Sequence, residues 1–212
     1  MTGDLDAFEV TPAYDTLVAW RTAHAGPLQK ATMGLRSRVS AEKCAMPKVS
    51  QRLKRTPTIL DKLKREPTMA LSTMADIGGC RAVLNNVDEL RRVQRRWEQR
   101  DRAVRTRDYI VAPRDTGYRA VHIIVQYDER LIEVQLRTRA MHEWAFMVET
   151  VTGRLNVDVK GGRGPDEVQR WFKAVSEAMA IEESGGVVSG TLAANVTTLR
   201  EQAEPLLKRG WQ

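Results

Sequence analysis

Two carboxylates and a row of mixed polar side chains carry most of the chemistry this sequence offers. Between Ala120 and Arg137, Val121, Ile123 and Val125 alternate with His122, Ile124 and Gln126, and Ile132, Val134 and Leu136 alternate with Glu133, Gln135 and Arg137. Asp128, Glu129 and Arg130 separate the two runs, so the stretch reads as a β-hairpin. A turn of even length puts even positions of the first strand and odd positions of the second on one face. That face gathers His122, Gln126, Glu133, Gln135 and Arg137: one carboxylate, one imidazole, two amides and one guanidinium. The other face is almost purely Val, Ile and Leu and must meet the core. Upstream, Asp76 stands just before another apolar run, Ile77 to Leu84. A magnesium–nucleotide site takes one or two carboxylates and fills its remaining positions with phosphate oxygens and water. Asp76 and Glu133 are the acidic residues to weigh for that work, although Asp76 taken alone is more often a helix or strand cap. The plain alternatives are a strand cap at Asp76 and a solvated sheet face at Glu133.

The cations fall into two clusters. Arg91, Arg92, Arg95, Arg96, Arg100, Arg102, Arg105 and Arg107 stand against only Glu98 and Asp101. The second cluster is Lys48, Arg52, Lys54, Arg55, Lys62, Lys64 and Arg65. One charge run is usually a solvated helix face, but arginine forks suit phosphate contacts, and a net charge of +7 over 212 residues fits a phosphate-bearing ligand or nucleic acid. Hydrophobic residues at 42% support a packed core and exclude wholesale disorder. No apolar run nears the roughly 18 residues that cross a bilayer, and Met1 to Val10 has no basic signal region. Cys44 and Cys80 make neither a disulfide framework nor a zinc site. Walker A and Rossmann glycine fingerprints are absent. The expectation is a cytoplasmic protein without a membrane segment.

These side chains need elements to hold them. The first forty-odd residues read as helix with a break near Gly26–Pro27. Pro57 opens a short helix over Thr58 to Lys64. A strand over Ile77 to Leu84 is followed by an arginine-rich helix over Val87 to Arg100, whose Asp88 and Glu89 suit its N-terminal dipole. Val104 to Val111 reads as strand, then comes the hairpin, then a helix over Arg139 to Glu149. Gly161 to Gly164 reads as a loop, Pro165 opens a helix reaching about Ile181, and a last amphipathic helix runs from Leu192 to Lys208. The expected architecture is α/β (α+β): a mixed, largely antiparallel sheet flanked by helices. The expected division is an N-terminal helical segment (1–47), a core (48–150) and a C-terminal helical extension (151–212).

Three ordered stretches, ADIGGCRAVL (Ala75 to Leu84), RDYIVAPRDTGYRAVH (Arg107 to His122) and IEVQLRTRAMHEWA (Ile132 to Ala145), resemble the successive signatures of the RelA/SpoT synthetase domain. The upstream RLKRTPTILDKL (Arg52 to Leu63) is similar to that family's basic segment. The resemblance implies a nucleotidyltransferase-like synthetase fold and transfer of pyrophosphate from ATP to a ribose 3′-hydroxyl. It implies that Asp76 and Glu133 are the catalytic carboxylates that hold Mg²⁺, with Glu133 helping to deprotonate the attacking hydroxyl. It implies Arg52 and Arg81 around the adenine of ATP and Lys54 and Lys62 on its phosphates. Tyr118 resembles the tyrosine that stacks on the acceptor base, and His122, Gln135 and Arg137 match positions lining the same pocket. Nothing in the sequence resembles the hydrolase or regulatory domains of long family members, which implies a small synthetase.

Arg107, Thr116 and Ala120 depart from the family's Lys, Asn and Ser at those places, which leaves the acceptor open. One reading is GDP or GTP (or an adenine nucleotide), giving a ppGpp-type alarmone. The other is the 3′-terminal adenosine of tRNA, as in toxic small members opposed by an antitoxin. The basic stretch, with Arg92, Arg96, Arg105 and Arg107 as phosphate or tRNA contacts, favours the second. The base rate of the family favours the first. A non-catalytic RNA-binding module would have no use for both Asp76 and Glu133. The terminal helices are the expected site of any homo-oligomer.

Overall fold

The computed structural model describes residues 12–99, 103–155 and 159–209. In chain order the elements are α1 (Pro12–Thr22), α2 (Ala25–Ala41), β1 (Lys48–Leu53), α3 (Thr56–Arg65), β2 (Gly78–Leu84), α4 (Val87–Glu98), β3 (Ala103–Asp108), β4 (Val121–Tyr127), β5 (Arg130–Thr138), α5 (Arg139–Leu155), α6 (Asp166–Glu183) and α7 (Gly190–Arg209). The five strands form one mostly antiparallel sheet in the order β1-β2-β5-β4-β3, so the expected mixed α/β class holds. Among the described residues no helix is long and apolar enough to cross a membrane.

The hairpin that presents Glu133 is built by its turn. Asp128 and Glu129 both have positive φ, 46° and 61°, as a two-residue type I′ connection requires. Neither residue is glycine, and the strain is met by an anchor: the Lys30 ammonium donates to both carboxylate oxygens of Asp128 at 2.8 and 2.7 Å. An even turn keeps the register the alternation demanded. Ile123, Val125, Ile132, Val134 and Leu136 are all fully buried.

Three elements differ from the sequence reading for local reasons. β1 carried no strand signal because it is an edge strand, with only Val49 and Leu53 partly buried among exposed polar residues. β3 stops at Asp108 rather than Val111. The Asp108 carboxylate accepts the backbone N–H groups of Ile110 and Val111 at 2.9 and 3.1 Å and turns the chain out of the ladder. The early helical break comes before Ala25, and Pro27 sits in the first turn of α2, where its missing N–H leaves no helical bond unmade. Arg100 and Arg102 of the basic stretch lie outside the described residues.

The chain divides into two compact units, each discontinuous in sequence. The first comprises Met1–Ala82, Val93–Thr106 and His122–Gln135. Within it Leu17 of α1, Ile59 of α3, Met74 and Ile77 form a buried cluster, with Trp20, Leu60, Leu63, Met69 and Leu71 packed against it. The second comprises Val83–Arg92, Arg107–Val121 and Leu136–Gln212. Its core joins Tyr118, Trp144, Ala145, Val148, Phe172 and Ala203. There Gly117 has φ +87°, and a Cβ on it would lie 3.0 Å from both Lys173 Cα and Ser176 Cβ of α6. Only glycine meets both demands.

Candidate active site

Within the first unit, Asp76 is the meeting point of two cations from different elements. Met74 and Ile77 on either side are buried to 1% and 0% exposure, which fixes the backbone under Asp76. Lys54, just past β1, donates from Nζ to Asp76 Oδ2 at 2.9 Å, and Lys62, near the end of α3, donates to Oδ1 at 3.0 Å. The Lys54 N–H donates to the Ile77 carbonyl at 2.8 Å, tying that strand end to the chain just after Asp76. Burial pushes the Asp76 carboxyl up, but the hydrogen bond and charge of Lys54, then those of Lys62, outweigh it and hold the group below the ordinary carboxylate range. Asp76 is therefore charged, and each of its oxygens already has a cationic partner.

Glu133 stands in a second cluster of the same unit. His122 on β4 donates from Nδ1 to Glu133 Oε1 at 2.9 Å, and Gln135, two residues along the same face of β5, donates from Nε2 to Oε2 at 2.6 Å. Burial again works against ionisation, but the hydrogen bond and charge of His122, the Gln135 amide and the charge of Lys62 bring the carboxyl down to about 2. Lys62 thus acts on both carboxylates, by contact on Asp76 and through its field on Glu133. The face read from the alternation brings His122, Glu133 and Gln135 together. Of its other two members, Gln126 is exposed at the far end of β4 and Arg137 is buried.

The donor set bears on a metal. Among the described residues no group of three or more His, Cys, Asp and Glu side chains is gathered to hold an ion. Asp76 and Glu133 offer ionised oxygens alone, which fits a hard divalent cation that completes its shell with substrate phosphates and water. Arg52 is exposed on β1 and Arg81 half-buried on β2, strands that are neighbours in the sheet. Cys80, next to Arg81 on β2, is a buried thiol pushed up to about 12 by burial, inert as a nucleophile.

Tyr118 and Arg137 belong to the second unit. Tyr118 is only 1% exposed and its ring is packed in the core. Arg137, equally buried, donates from Nη2 to the Tyr118 hydroxyl at 3.0 Å. Arg114, unremarked in the sequence, covers the rings of Tyr109 and Tyr118 at 4.6 and 5.5 Å and donates to the Tyr109 hydroxyl. Both Arg114 and Tyr109 lie inside the stretch Arg107 to His122, which was the available signal. Burial raises the Tyr109 phenol, but hydrogen bonds from Arg114 and Arg107 hold it below its ordinary range.

Part of the arginine stretch is paired among the described residues. Arg91 pairs with Asp108 in the second unit and Arg96 with Glu42 in the first. Arg92 is half-buried with partners of its own. Arg105 and Arg107 are exposed on β3, an edge strand.

Known proteins resemble this chain. A family model described as the region found in RelA/SpoT proteins matches residues 51–151. The GTP pyrophosphokinase YjbM of Bacillus subtilis (strain 168) is 33% identical over 118 residues, 51% of this chain and 54% of that protein. The GTP pyrophosphokinase YwaC of the same organism is 32% identical over 94 residues, 40% of this chain and 45% of that protein. The chain thus spans about half the length of the curated relatives it matches. Small alarmone synthetase 1 of Bacillus subtilis, bound to its product pppGpp, aligns with a TM-score of 0.66 at 25% identity, over 81% of this chain and 92% of that one. The fold is that of a small alarmone synthetase. The three ordered stretches, both carboxylates and both lysines all fall inside residues 51–151, the part of this chain that matches the region found in RelA/SpoT proteins.

Proposed function

We propose that the protein is an ATP-dependent pyrophosphokinase that transfers pyrophosphate to the ribose 3′-hydroxyl of a guanosine nucleotide. One observation carries the reading: two ionised carboxylates, each held by its own donors, share the charge of Lys62. Relatives named GTP pyrophosphokinases, and a fold neighbour bound to pppGpp as its product, support guanosine as the acceptor. In the reaction the 3′-oxygen attacks the β-phosphorus of ATP, the bond from that phosphorus to the α-phosphate bridging oxygen breaks, AMP leaves, and the hydroxyl proton is released.

Phosphoryl-group transfer demands positioning and charge neutralisation more than covalent help. Asp76 and Glu133 would hold magnesium, which would supply neutralisation at the transferred group. Lys54 and Lys62 turn from Asp76 toward the ATP phosphates, exchanging one anionic partner for another at little cost. Arg52 and Arg81 take the adenine. The Nδ1–H of His122 and the amide of Gln135 fix Glu133 in orientation, and a carboxyl brought down to about 2 holds charge better than it takes a proton. In this reading Glu133 therefore acts chiefly as a fixed anion. On the acceptor side Tyr118 and Arg137 form the floor beneath Arg114 and Tyr109, and Arg114 must lift for a base to reach either ring.

The tRNA reading draws on the basic stretch, and the pairing of Arg91 with Asp108 and of Arg96 with Glu42 reduces what α4 offers a phosphate backbone. The deciding experiment supplies γ-labelled ATP with GDP, GTP, AMP or deacylated tRNA in parallel. The expected result is label on GDP and GTP. Label on tRNA alone overturns the guanosine assignment.

A further inference from the structure

The two lysines that grip Asp76 come from two elements joined at a single corner. Lys54 ends the strand side, Arg55 precedes the first turn of α3 in an extended conformation, and Lys62 lies two turns along that helix. The angle at the corner therefore sets both ammonium groups relative to Asp76. Its polar atoms are fixed from two directions. The Lys54 N–H donates to the Ile77 carbonyl at 2.8 Å. The Lys54 carbonyl accepts from Arg21 Nε of α1 at 2.7 Å. An arginine in the last turn of a helix ordinarily serves its own C-terminal carbonyls, but this one reaches a carbonyl 33 residues onward. The helix that carries Arg21 is anchored next to the corner. Leu17 and Trp20 of α1 pack in the same cluster as Ile59, Leu60 and Leu63 of α3 and Met74 and Ile77 beside Asp76. α1 lies outside the matched residues 51–151.

We infer that Arg21 is a positioning residue for the proposed transfer, holding the Lys54–Arg55 corner so that Lys54 and Lys62 meet at Asp76 and hence at the ATP phosphates. The inference rests on the proposed reaction for its kinetic consequence but not for its structural one. Arg21 touches no substrate and acts through the Lys54 carbonyl. A hydrogen bond from a charged donor is worth enough that its loss should raise the KM for ATP about 10-fold. The KM for the acceptor should stay within about 2-fold, because Lys54 and Lys62 are assigned to the ATP phosphates and the acceptor to Tyr118 and Arg137.

The test compares the full chain with Arg21→Met, which keeps stem length and removes the donor, and Arg21→Lys, which keeps a cation able to reach the carbonyl. Two readouts are taken: the KM for ATP and for GDP, and hydrogen exchange of peptides covering 48–56. The expected result is faster exchange at the Lys54 amide and a raised KM for ATP in Arg21→Met, with both largely restored in Arg21→Lys. Unchanged exchange and unchanged KM for ATP in Arg21→Met would overturn the inference. So would an Arg21→Lys protein that melts like wild type yet behaves as Arg21→Met. Should the wild-type chain transfer nothing from ATP, the proposed reaction fails, and the exchange data still decide whether Arg21 holds the corner.

Discussion

Asp76 and Glu133 are both kept charged, but by different company. Asp76 sits between two flexible ammonium groups that an incoming phosphate can claim, whereas Glu133 sits between an imidazole and an amide fixed on the sheet. The first arrangement is made to exchange partners and the second to stay. Asp76→Asn and Glu133→Gln should therefore each reduce transfer by at least about 100-fold, since either removes a charge proposed to hold the metal, while circular dichroism melts show a folded protein. Near wild-type turnover in either variant would remove that residue from the site. A pH dependence also follows for Glu133. Its carboxyl titrates at about 2 when folded against 4.5 as the ordinary value, so its contribution to stability is present above about pH 4.5 and fades as pH falls toward 2. Urea melts at pH 6 and pH 3 should show a smaller acid loss for Glu133→Gln than for wild type. Equal losses would mean the His122 contact carries no stabilising charge.

The hairpin was legible because its periodicity of two is dictated by burial: one face had to be Val, Ile and Leu, and whatever alternated with them had to share the other. That logic alone puts His122, Glu133 and Gln135 together. The grip on Asp76 was not legible from residue types and spacing, because Lys54 and Lys62 reach it across 22 and 14 residues and no local pattern encodes that approach. Likeness to the family named those lysines, but as partners of ATP. β1 escaped detection because an edge strand with two half-buried residues has almost no alternation to show. The burial of Tyr118 escaped for the opposite reason. A lone tyrosine in a glycine-containing loop looks exposed, and only α6 pressing on Gly117 turns it inward. That contact is testable at the scale of the element. Ser176 of α6 donates to the Gly117 carbonyl, and the glycine has no room for a methyl group. Gly117→Ala should cost about 1–3 kcal/mol from positive φ and crowding together, read as a drop in Tm. A melt unchanged from wild type would show that α6 yields and the loop is not pinned.

For the molecule as a whole, charge sets the terms of partnership. Among the described cations Lys54 and Lys62 converge on Asp76, Arg91 and Arg96 pair with Asp108 and Glu42, and Arg105 and Arg107 are exposed. If the acceptor is a free guanosine nucleotide, reversing charge at Arg95, exposed on α4, should leave GDP-dependent turnover within about 2-fold and weakly dependent on salt, because few phosphate contacts are lost. A collapse of turnover with a steep salt slope would mean that α4 meets a polyanion. The most direct measurement concerns the group that moves. ATP labelled at the β-phosphate is supplied with GDP, and the guanosine product and adenine product are separated. Pyrophosphate transfer requires β-label in the guanosine product and one AMP for each molecule formed. β-Label remaining in ADP, with only the γ-phosphate moved or hydrolysed, would contradict pyrophosphate transfer at Asp76 and Glu133.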